Sequence, residues 1–232
     1  MYTEQKIILA TDEFNYNEII DFVKKFGNKV FGVKIHNLFD QFGPKIVSEL
    51  QTAGAKRVWV DAKLHDIPNT VKLRAKAIAG SGCNILSVHA SGGEEMMRAA
   101  KEGFGSGKVY AVTALTSLTE ENLKAIYNVE NFEELVKYLA KLAKNSGVDG
   151  LVCSPKEISL LKSDPDLKNL ELVVPGIRSV GVDVNDQQRF DTPTNALKAG
   201  ANFLVVGRQL TKATDKAKAF DDLEKELANI LN

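Results

Sequence analysis

Short runs of apolar and β-branched residues recur along the chain, with longer amphipathic stretches between them. Eight such runs are present: KIILA (6–10), VFGVKI (30–35), RVWVDA (57–62), NILSVHA (84–90), VYAVTAL (109–115), GLVCS (150–154), LELVVP (170–175) and NFLVVG (202–207). Near-continuous apolarity over a short run is typical of strands that are covered on both faces, as in parallel sheets. The pattern therefore predicts eight buried parallel strands.

The stretches between these runs carry apolar residues at helical spacing. They include 16–26, 40–54, 69–80, 92–103 and 131–147, and the stretch 211–232 follows the last strand. Several have a glycine just before the next strand: Gly27, Gly54, Gly82, Gly147 and Gly200. Glycine at this position is typical of a helix C-cap that leads into a short turn. We therefore expect helices to alternate with the strands.

Eight strands that alternate with helices in 232 residues predict an α/β protein built as a single (β/α)8 TIM barrel. No linker or low-complexity stretch divides the sequence, so we expect residues 1–232 to form one catalytic domain. The alternative is an open, doubly wound sheet, which would bind its ligand where the strand order reverses.

Polar residues gather where the predicted strands end. They are Asp12, Lys34, Asp61, Lys63, His89, Thr116, Ser117, Ser154, Arg178 and Arg208. The sequence offers no comparable set where the strands begin. Because (β/α)8 barrels carry their active sites at the carboxyl ends of the strands, this asymmetry predicts a catalytic mouth there.

The stretch VDAKLHDIPNT (60–70) concentrates charge at the end of the third strand. Side chains alternate along a strand, so Asp61 and Lys63 are expected on one face, where buried charges need partners. Asp66 has a structural alternative, since it can be a helix N-cap with Pro68 in the first turn. Thr70, four residues after Asp66, would face the same way on the following helix.

Two later segments fit a phosphate site. Gly207 and Arg208 follow strand eight, where barrels often bind phosphate, and an arginine offers two parallel hydrogen bonds to an anion. The segment 176–192 is long for a loop after a strand and contains Arg178 and Gln187, which predicts a mobile lid over a polar ligand. A surface arginine and a surface excursion of the chain are the alternatives.

Composition narrows the class of protein. Lysine plus arginine and aspartate plus glutamate number 30 each, so no charge surplus points to nucleic acid. No run approaches the ~20 apolar residues of a membrane-spanning helix, and we expect a cytoplasmic location. Cys83 and Cys153 lie in apolar runs and are expected to be buried thiols. The three histidines are not spaced as a metal-binding set, so no metal site is expected.

These motifs resemble those of the orotidine 5'-phosphate decarboxylase family. The resemblance lies in Asp61-x-Lys63-x-x-Asp66-Ile67-x-x-Thr70 and extends along the chain through Lys34, VHASGG (88–93), AVTALTS (111–117), VVPGIR (173–178), NDQQR (185–189) and VVGR (205–208). It implies a homodimeric barrel lyase that converts orotidine 5'-monophosphate to UMP and CO2 in pyrimidine biosynthesis. The family needs no metal or organic cofactor, and neither a nucleic acid nor a membrane is implied as a partner.

The resemblance also implies a role for each site residue. Lys63 would stabilise and protonate a carbanion at C6 of the pyrimidine, with Asp61 beside the substrate carboxylate. Asp66 and Thr70 would reach into the partner's site. The remaining residues would bind ribose (Lys34, Asp12), base (Thr116, Ser117, Gln187) and phosphate (Gln187, Gly207, Arg208), with Arg178 in the lid.

Two other functions share parts of this pattern. A barrel acting on a sugar phosphate, such as 3-keto-gulonate 6-phosphate decarboxylase with Mg²⁺, has a similar Asp-x-Lys-x-x-Asp motif. The Ile67–Thr70 segment and the Thr116–Ser117 pair favour the pyrimidine. A non-enzymatic nucleotide sensor on the same scaffold would not need the buried charged residues.

Overall fold

A computed structural model describes residues 2–179 and 190–231, and its strands close into a barrel. The eight strands are β1 (Ile7–Ala10), β2 (Gly32–Ile35), β3 (Val58–Leu64), β4 (Ile85–His89), β5 (Lys108–Val112), β6 (Gly150–Val152), β7 (Glu171–Val174) and β8 (Phe203–Val206). Each strand pairs in parallel with the next along the chain, and β8 pairs with β1. The predicted (β/α)8 barrel is therefore confirmed, and the open sheet is wrong.

Helices follow the strands around the outside of the barrel. They are α1 (Tyr2–Lys6), α2 (Tyr16–Phe26), α3 (Asn37–Phe42), α4 (Lys45–Ala53), α5 (Pro68–Ala79), α6 (Gly93–Phe104), α7 (Glu120–Tyr127), α8 (Phe132–Ser146), α9 (Ile158–Ser163), α10 (Pro193–Ala199), α11 (Arg208–Thr211) and α12 (Lys216–Leu231). In the described part of the chain, no helix is long and apolar enough to cross a membrane.

The single amphipathic stretch predicted over 40–54 is two helices. α3 ends at Phe42, Gly43 follows with a left-handed φ of 61°, and Pro44 precedes α4. Proline lacks the backbone N–H that would continue the hydrogen-bond ladder of α3, and glycine tolerates the left-handed turn. The apolar periodicity persists across this break because both helices bury a face against the barrel.

The predicted glycine caps have three different local structures. Gly54, Gly147 and Gly200 end their helices in the left-handed conformation, as expected. Gly82 has a φ of 80°, but it lies in the turn after α5, which ends at Ala79 with Gly80 as its C-cap. Gly27 has a right-handed φ of −59°, and an added Cβ would lie 2.7 Å from Cγ1 of Val23. Close packing against α2 therefore explains the glycine at position 27.

The core has two layers. Side chains that fill the barrel interior form a small cluster of Ile8, Trp59, Ile85, Tyr110, Val173, Phe203 and Val205. The second, larger cluster lies between the strands and the helices. Alternate residues of each strand contribute to the two layers, which explains why the strands read as continuous apolar runs.

The amino ends of the strands carry a polar set that the sequence analysis did not find. Glu171, at the start of β7, accepts hydrogen bonds from Lys108 Nζ (2.6 Å) and from the hydroxyl of Tyr110 (2.8 Å). Lys101 Nζ lies 2.7 Å from Asp149 just before β6. The expectation of a polar asymmetry between the two ends was therefore wrong. These groups pair with one another at the amino-terminal end of the barrel.

Candidate active site

A cavity of about 370 Å³ opens at the carboxyl ends of the strands. The residues predicted for the site that line it are Asp12, Lys34, Asp61, Lys63, Thr116, Arg178, Gly207 and Arg208. Trp59, Val152 and Val205 give the cavity an apolar floor. The barrel therefore brings together residues that are almost 200 positions apart in the sequence.

Four charged residues form a connected network in this cavity. Lys34 Nζ donates to both oxygens of Asp12, at 2.7 and 3.0 Å, and lies 3.1 Å from Oδ2 of Asp61. Lys63 Nζ donates to the same Oδ2 at 2.6 Å. Asp12, Lys34, Asp61 and Lys63 are called the charge network below. Two lysines and two aspartates make the network formally neutral.

Burial and pairing act in opposite directions on the two innermost members of the charge network. Burial alone would raise the pKa of Asp61, but Lys34 and Lys63 outweigh it and hold that pKa well below its usual range. Burial alone would lower the pKa of Lys34, but Asp61 and Asp12 raise it above its ordinary value. Both groups are therefore charged at neutral pH.

A bulge in β3 sets the position of Lys63. The β3–β4 ladder pairs Val60 with Leu86 and then Leu64 with Val88, so three residues of β3 face the single residue Ser87 of β4. Lys63 has a left-handed φ of 45°. Lysine rarely adopts this conformation, and such residues cluster at active sites. Asp61 and Lys63 share a face as predicted, but through a distorted strand and not through regular alternation.

Ser87 is the residue that the sequence analysis missed. It is fully buried, and its hydroxyl donates to Oδ1 of Asp61 at 2.6 Å and accepts from the backbone N–H of Lys63 at 3.1 Å. It lies two residues before His89 on β4, so strand alternation places it on the same face as that strand-end residue. The two-residue spacing between Ser87 and His89 is the feature of the sequence that could have identified Ser87 as a site residue.

Asp66 and Thr70 lie outside the cavity of their own chain. The helix N-cap of α5 is Ile67, and Pro68 occupies the first position. Asp66 precedes the cap and accepts a hydrogen bond from the N–H of Ile67 at 2.7 Å. The alternative of Asp66 as the N-cap is therefore wrong by one residue. Asp66 is exposed, which leaves its carboxylate available to a second protein molecule.

The loops after β5 and β6 differ in what they bring to the cavity. Thr116 lines it, whereas Ser117 does not. Ser154 is buried and caps a short 3₁₀ turn, where its hydroxyl accepts from the N–H of Lys156 at 3.2 Å. The role of Ser154 is therefore structural.

Two backbone hydrogen bonds join the residues just after β7 to Asp191. The N–H of Arg178 donates to the carbonyl of Asp191 at 3.0 Å, and the N–H of Asp191 donates to Gly176 at 3.1 Å. Arg178 is buried and lines the cavity, and its guanidinium donates to the carbonyl of Ile177 at 2.6 Å. Gln187, predicted to bind base and phosphate, lies outside the described residues.

Two histidines lie beside the charge network. The rings of His65 and His89 meet edge to face, with centroids 5.8 Å apart, and His65 Nε2 lies 3.4 Å from the hydroxyl of Ser91. Burial, and then the nearby His65 and Lys63, lower the pKa of His89. Both cysteines are buried, as predicted, and Cys153 contributes to the cavity wall.

The closed parallel barrel and the lysine–aspartate network at its mouth define a (β/α)8-barrel enzyme with a site for a small polar substrate. A family model described as Orotidine 5'-phosphate decarboxylase / HUMPS family matches residues 5–223. The chain belongs to this family.

Individual relatives are similar in sequence to this chain along nearly its whole length. An orotidine 5'-phosphate decarboxylase of Aliivibrio fischeri (strain MJ11) is 42% identical over 98% of this chain and 99% of its own length. One from Pseudoalteromonas translucida is also 42% identical, over 96% of this chain and 97% of its own. The crystal structure of orotidine 5'-phosphate decarboxylase from Lactobacillus acidophilus has a TM-score of 0.82 at 35% identity, covering 96% of this chain and 99% of that one.

Proposed function

We propose that this protein converts orotidine 5'-monophosphate to UMP and CO2 in pyrimidine biosynthesis, without a metal or an organic cofactor. The observation that carries the proposal is the charge network. Lys63 is only half-buried and ends in the cavity. The buried carboxylate of Asp61, which also pairs with buried Lys34, holds the Lys63 ammonium in place. Family membership along nearly the full chain supports the same reaction.

The reaction breaks the bond between C6 of the pyrimidine and the carboxylate carbon. The electron pair of that bond stays on C6 as a carbanion in the ring plane, and CO2 leaves. The Lys63 ammonium lies next to the forming carbanion, stabilises its negative charge and then donates one proton to C6. Fixed charges that meet charge as it develops in the transition state are among the largest contributions to catalysis.

Asp61 contributes by meeting the substrate carboxylate. Two carboxylates about 4 Å apart repel each other by about 4 kcal/mol at an effective dielectric of about 20. Loss of CO2 removes this repulsion. Stabilisation of the carbanion by Lys63 is the larger contribution in our proposal, because it acts on the transition state itself.

The other predicted site residues bind the substrate away from C6. Lys34 and Asp12 hold the ribose, and Thr116 and Ser117 hold the base together with Gln187. Gly207 and Arg208 hold the phosphate, also with Gln187, and Arg178 belongs to the lid. Binding energy from the remote phosphate helps to order the site, so a substrate without its phosphate loses kcat as well as affinity.

We further propose a homodimer in which Asp66 and Thr70 complete the partner's site. Asp66 is exposed and outside the cavity of its own chain, which supports this role. Ile67, the next residue, and Leu73 on α5 are 66% and 60% exposed. Large apolar side chains exposed together are typical of an interface between subunits.

Turnover of orotidine 5'-monophosphate in the presence of EDTA tests the reaction. Loss of the orotate absorbance in the ultraviolet, with UMP and CO2 as products, is the expected result. Intact substrate after prolonged incubation with folded protein would overturn the proposal. Turnover of a sugar phosphate that requires added Mg²⁺ would identify the other barrel decarboxylase instead.

Mixed dimers test the shared site. Lys63→Ala and Asp66→Asn should each be inactive alone. When they exchange subunits, half of the dimers are mixed and each mixed dimer has one intact site. We therefore expect activity to return to about a quarter of the wild-type value.

The matched control is a mixture of Lys63→Ala with Asp61→Asn. These two residues belong to the same chain's network, so no subunit arrangement restores an intact site. Recovery in this control, or its absence in the first mixture despite mass-spectrometric proof of exchange, would contradict the shared site.

A further inference from the structure

Ser87 lies at the one place where β3 and β4 lose register. Residues 61–63 of β3 face Ser87 alone, so the ladder cannot provide a carbonyl partner for every N–H of the bulge. The hydroxyl of Ser87 takes the place of that partner for Lys63, whose N–H donates to it at 3.1 Å. The side chain is fully buried, so this contact is shielded from water.

The same hydroxyl also fixes the orientation of Asp61. It donates to Oδ1 at 2.6 Å, while Lys63 and Lys34 both contact Oδ2. Rotation of the carboxylate would break the contact on Oδ1 and move Oδ2 away from two ammonium groups. Ser87 is therefore connected to both the backbone of Lys63 and the partner of its side chain.

The chemistry of the position requires a hydroxyl. The N–H of Lys63 can only donate, and the ionised carboxylate of Asp61 can only accept. A group between them must accept from one side and donate to the other, and it must be small enough for a fully buried site. Serine and threonine meet these conditions, whereas the side chains of alanine and valine can neither accept nor donate a hydrogen bond.

We propose that Ser87 is a positioning residue for the proton-donating Lys63. It holds the left-handed backbone of Lys63 and the carboxylate of Asp61 in one geometry, so that the ammonium points at the reacting carbon. The inference rests on the proposed decarboxylation. It adds a residue that acts through Lys63 and Asp61 without touching the substrate.

Two variants with side chains of equal size separate the effect of the hydroxyl group from the effect of side-chain volume. Ser87→Thr keeps the hydroxyl, and Ser87→Val replaces it with a methyl group of similar shape. A hydrogen bond to a charged group has an effect of roughly 10- to 100-fold, so kcat for Ser87→Val should lie about that far below kcat for Ser87→Thr. Affinity for UMP, which needs the phosphate and base contacts but no proton transfer, should agree within about threefold between the two.

Ser87→Cys and Ser87→Ala form a second pair for the case in which the extra methyl group disturbs folding. The order of kcat should then be wild type, cysteine and alanine, because a thiol is a weaker donor than a hydroxyl. Equal kcat within either folded pair would overturn the positioning role. So would a parallel loss of UMP affinity and kcat, since that pattern indicates general damage to the cavity.

Backbone hydrogen exchange provides a readout without turnover. The N–H of Lys63 should exchange slowly in wild type and in Ser87→Thr, and at least about tenfold faster in Ser87→Val. If the wild type fails to decarboxylate the substrate, the proposed function is overturned, but the hydrogen-bonding role of Ser87 is not. Unchanged exchange of this N–H in Ser87→Val would overturn the role of Ser87 even in an active enzyme.

Discussion

At the scale of single residues, Asp61 is the centre of the site. One of its oxygens contacts two lysines and the other accepts from Ser87. The sequence predicts the pairing of Asp61 with Lys63, because charges on an inward strand face need partners. It does not predict the left-handed φ of Lys63, since glycine and asparagine, the usual signals of that conformation, are absent from VDAKLHD.

His89 should make the stability of the protein depend on pH. Its pKa in the folded state lies below the ordinary value of 6.5 because of burial and of His65 and Lys63, with Asp61 opposing them. As the pH falls through the ordinary value, the unfolded chain therefore binds more protons than the folded one. The free energy of unfolding should fall from about pH 7.5 to about pH 5.5.

Urea denaturation of His89→Gln measures this contribution. The variant should lose less stability than wild type over the same pH interval. His36→Gln, which replaces an exposed histidine, is measured alongside as a substitution control. An identical pH dependence in His89→Gln and wild type would contradict the shifted pKa.

At the scale of helices and strands, the sequence predicts the strands and the longer helices and misses the irregular features. All eight apolar runs are strands, since burial on both faces leaves a strong signal. The break between α3 and α4 and the bulge in β3 were missed. In both places the apolar pattern continues while the backbone changes direction, so the feature is decided by hydrogen bonds that the pattern does not report.

The contact between α5 and α6 predicts an unusual response to a glycine substitution. An added Cβ at Gly103 would lie 2.3 Å from the carbonyl oxygen of Lys72, a backbone atom that cannot move alone. Replacing a helical glycine by alanine usually stabilises a protein by up to about 1 kcal/mol. Gly103→Ala should instead lower the free energy of unfolding by about 1–3 kcal/mol through overpacking.

Chemical denaturation of Gly103→Ala checks this reversal of sign. Gly80→Ala is the matched control at the end of α5, where the nearest atom to the new Cβ is at 3.2 Å and φ is right-handed. Its stability should stay within about 0.5 kcal/mol of wild type. A stabilised Gly103→Ala would show that the two helices separate easily.

At the scale of the whole molecule, the two ends of the barrel have separate tasks. The charge network lies at the carboxyl ends of the strands, and the Lys108–Glu171–Tyr110 cluster lies at the amino ends. The groups at the amino ends pair among themselves. Burial, followed by Glu171, raises the pKa of Tyr110 far above its ordinary value. The fold therefore separates residues for stability from residues for chemistry.

Tyr110→Phe should lower the stability of the protein without changing kcat. The variant removes the donor to Oε2 of Glu171, so the free energy of unfolding should fall by about 1–2 kcal/mol. Initial rates on orotidine 5'-monophosphate should keep the wild-type kcat. A fall in kcat of tenfold or more in the folded variant would contradict the separation of the two ends.

The burial of Lys34 and Asp61 within the charge network also decides how salt acts on the enzyme. Dissolved ions screen charges that water reaches and have little access to pairs such as Lys34 and Asp61, whose side chains are 8% and 6% exposed. Added electrolyte should instead screen the attraction between Arg208, which lines the cavity, and the doubly charged phosphate group of the substrate. KM should therefore rise with ionic strength while the rate of the bound complex stays constant.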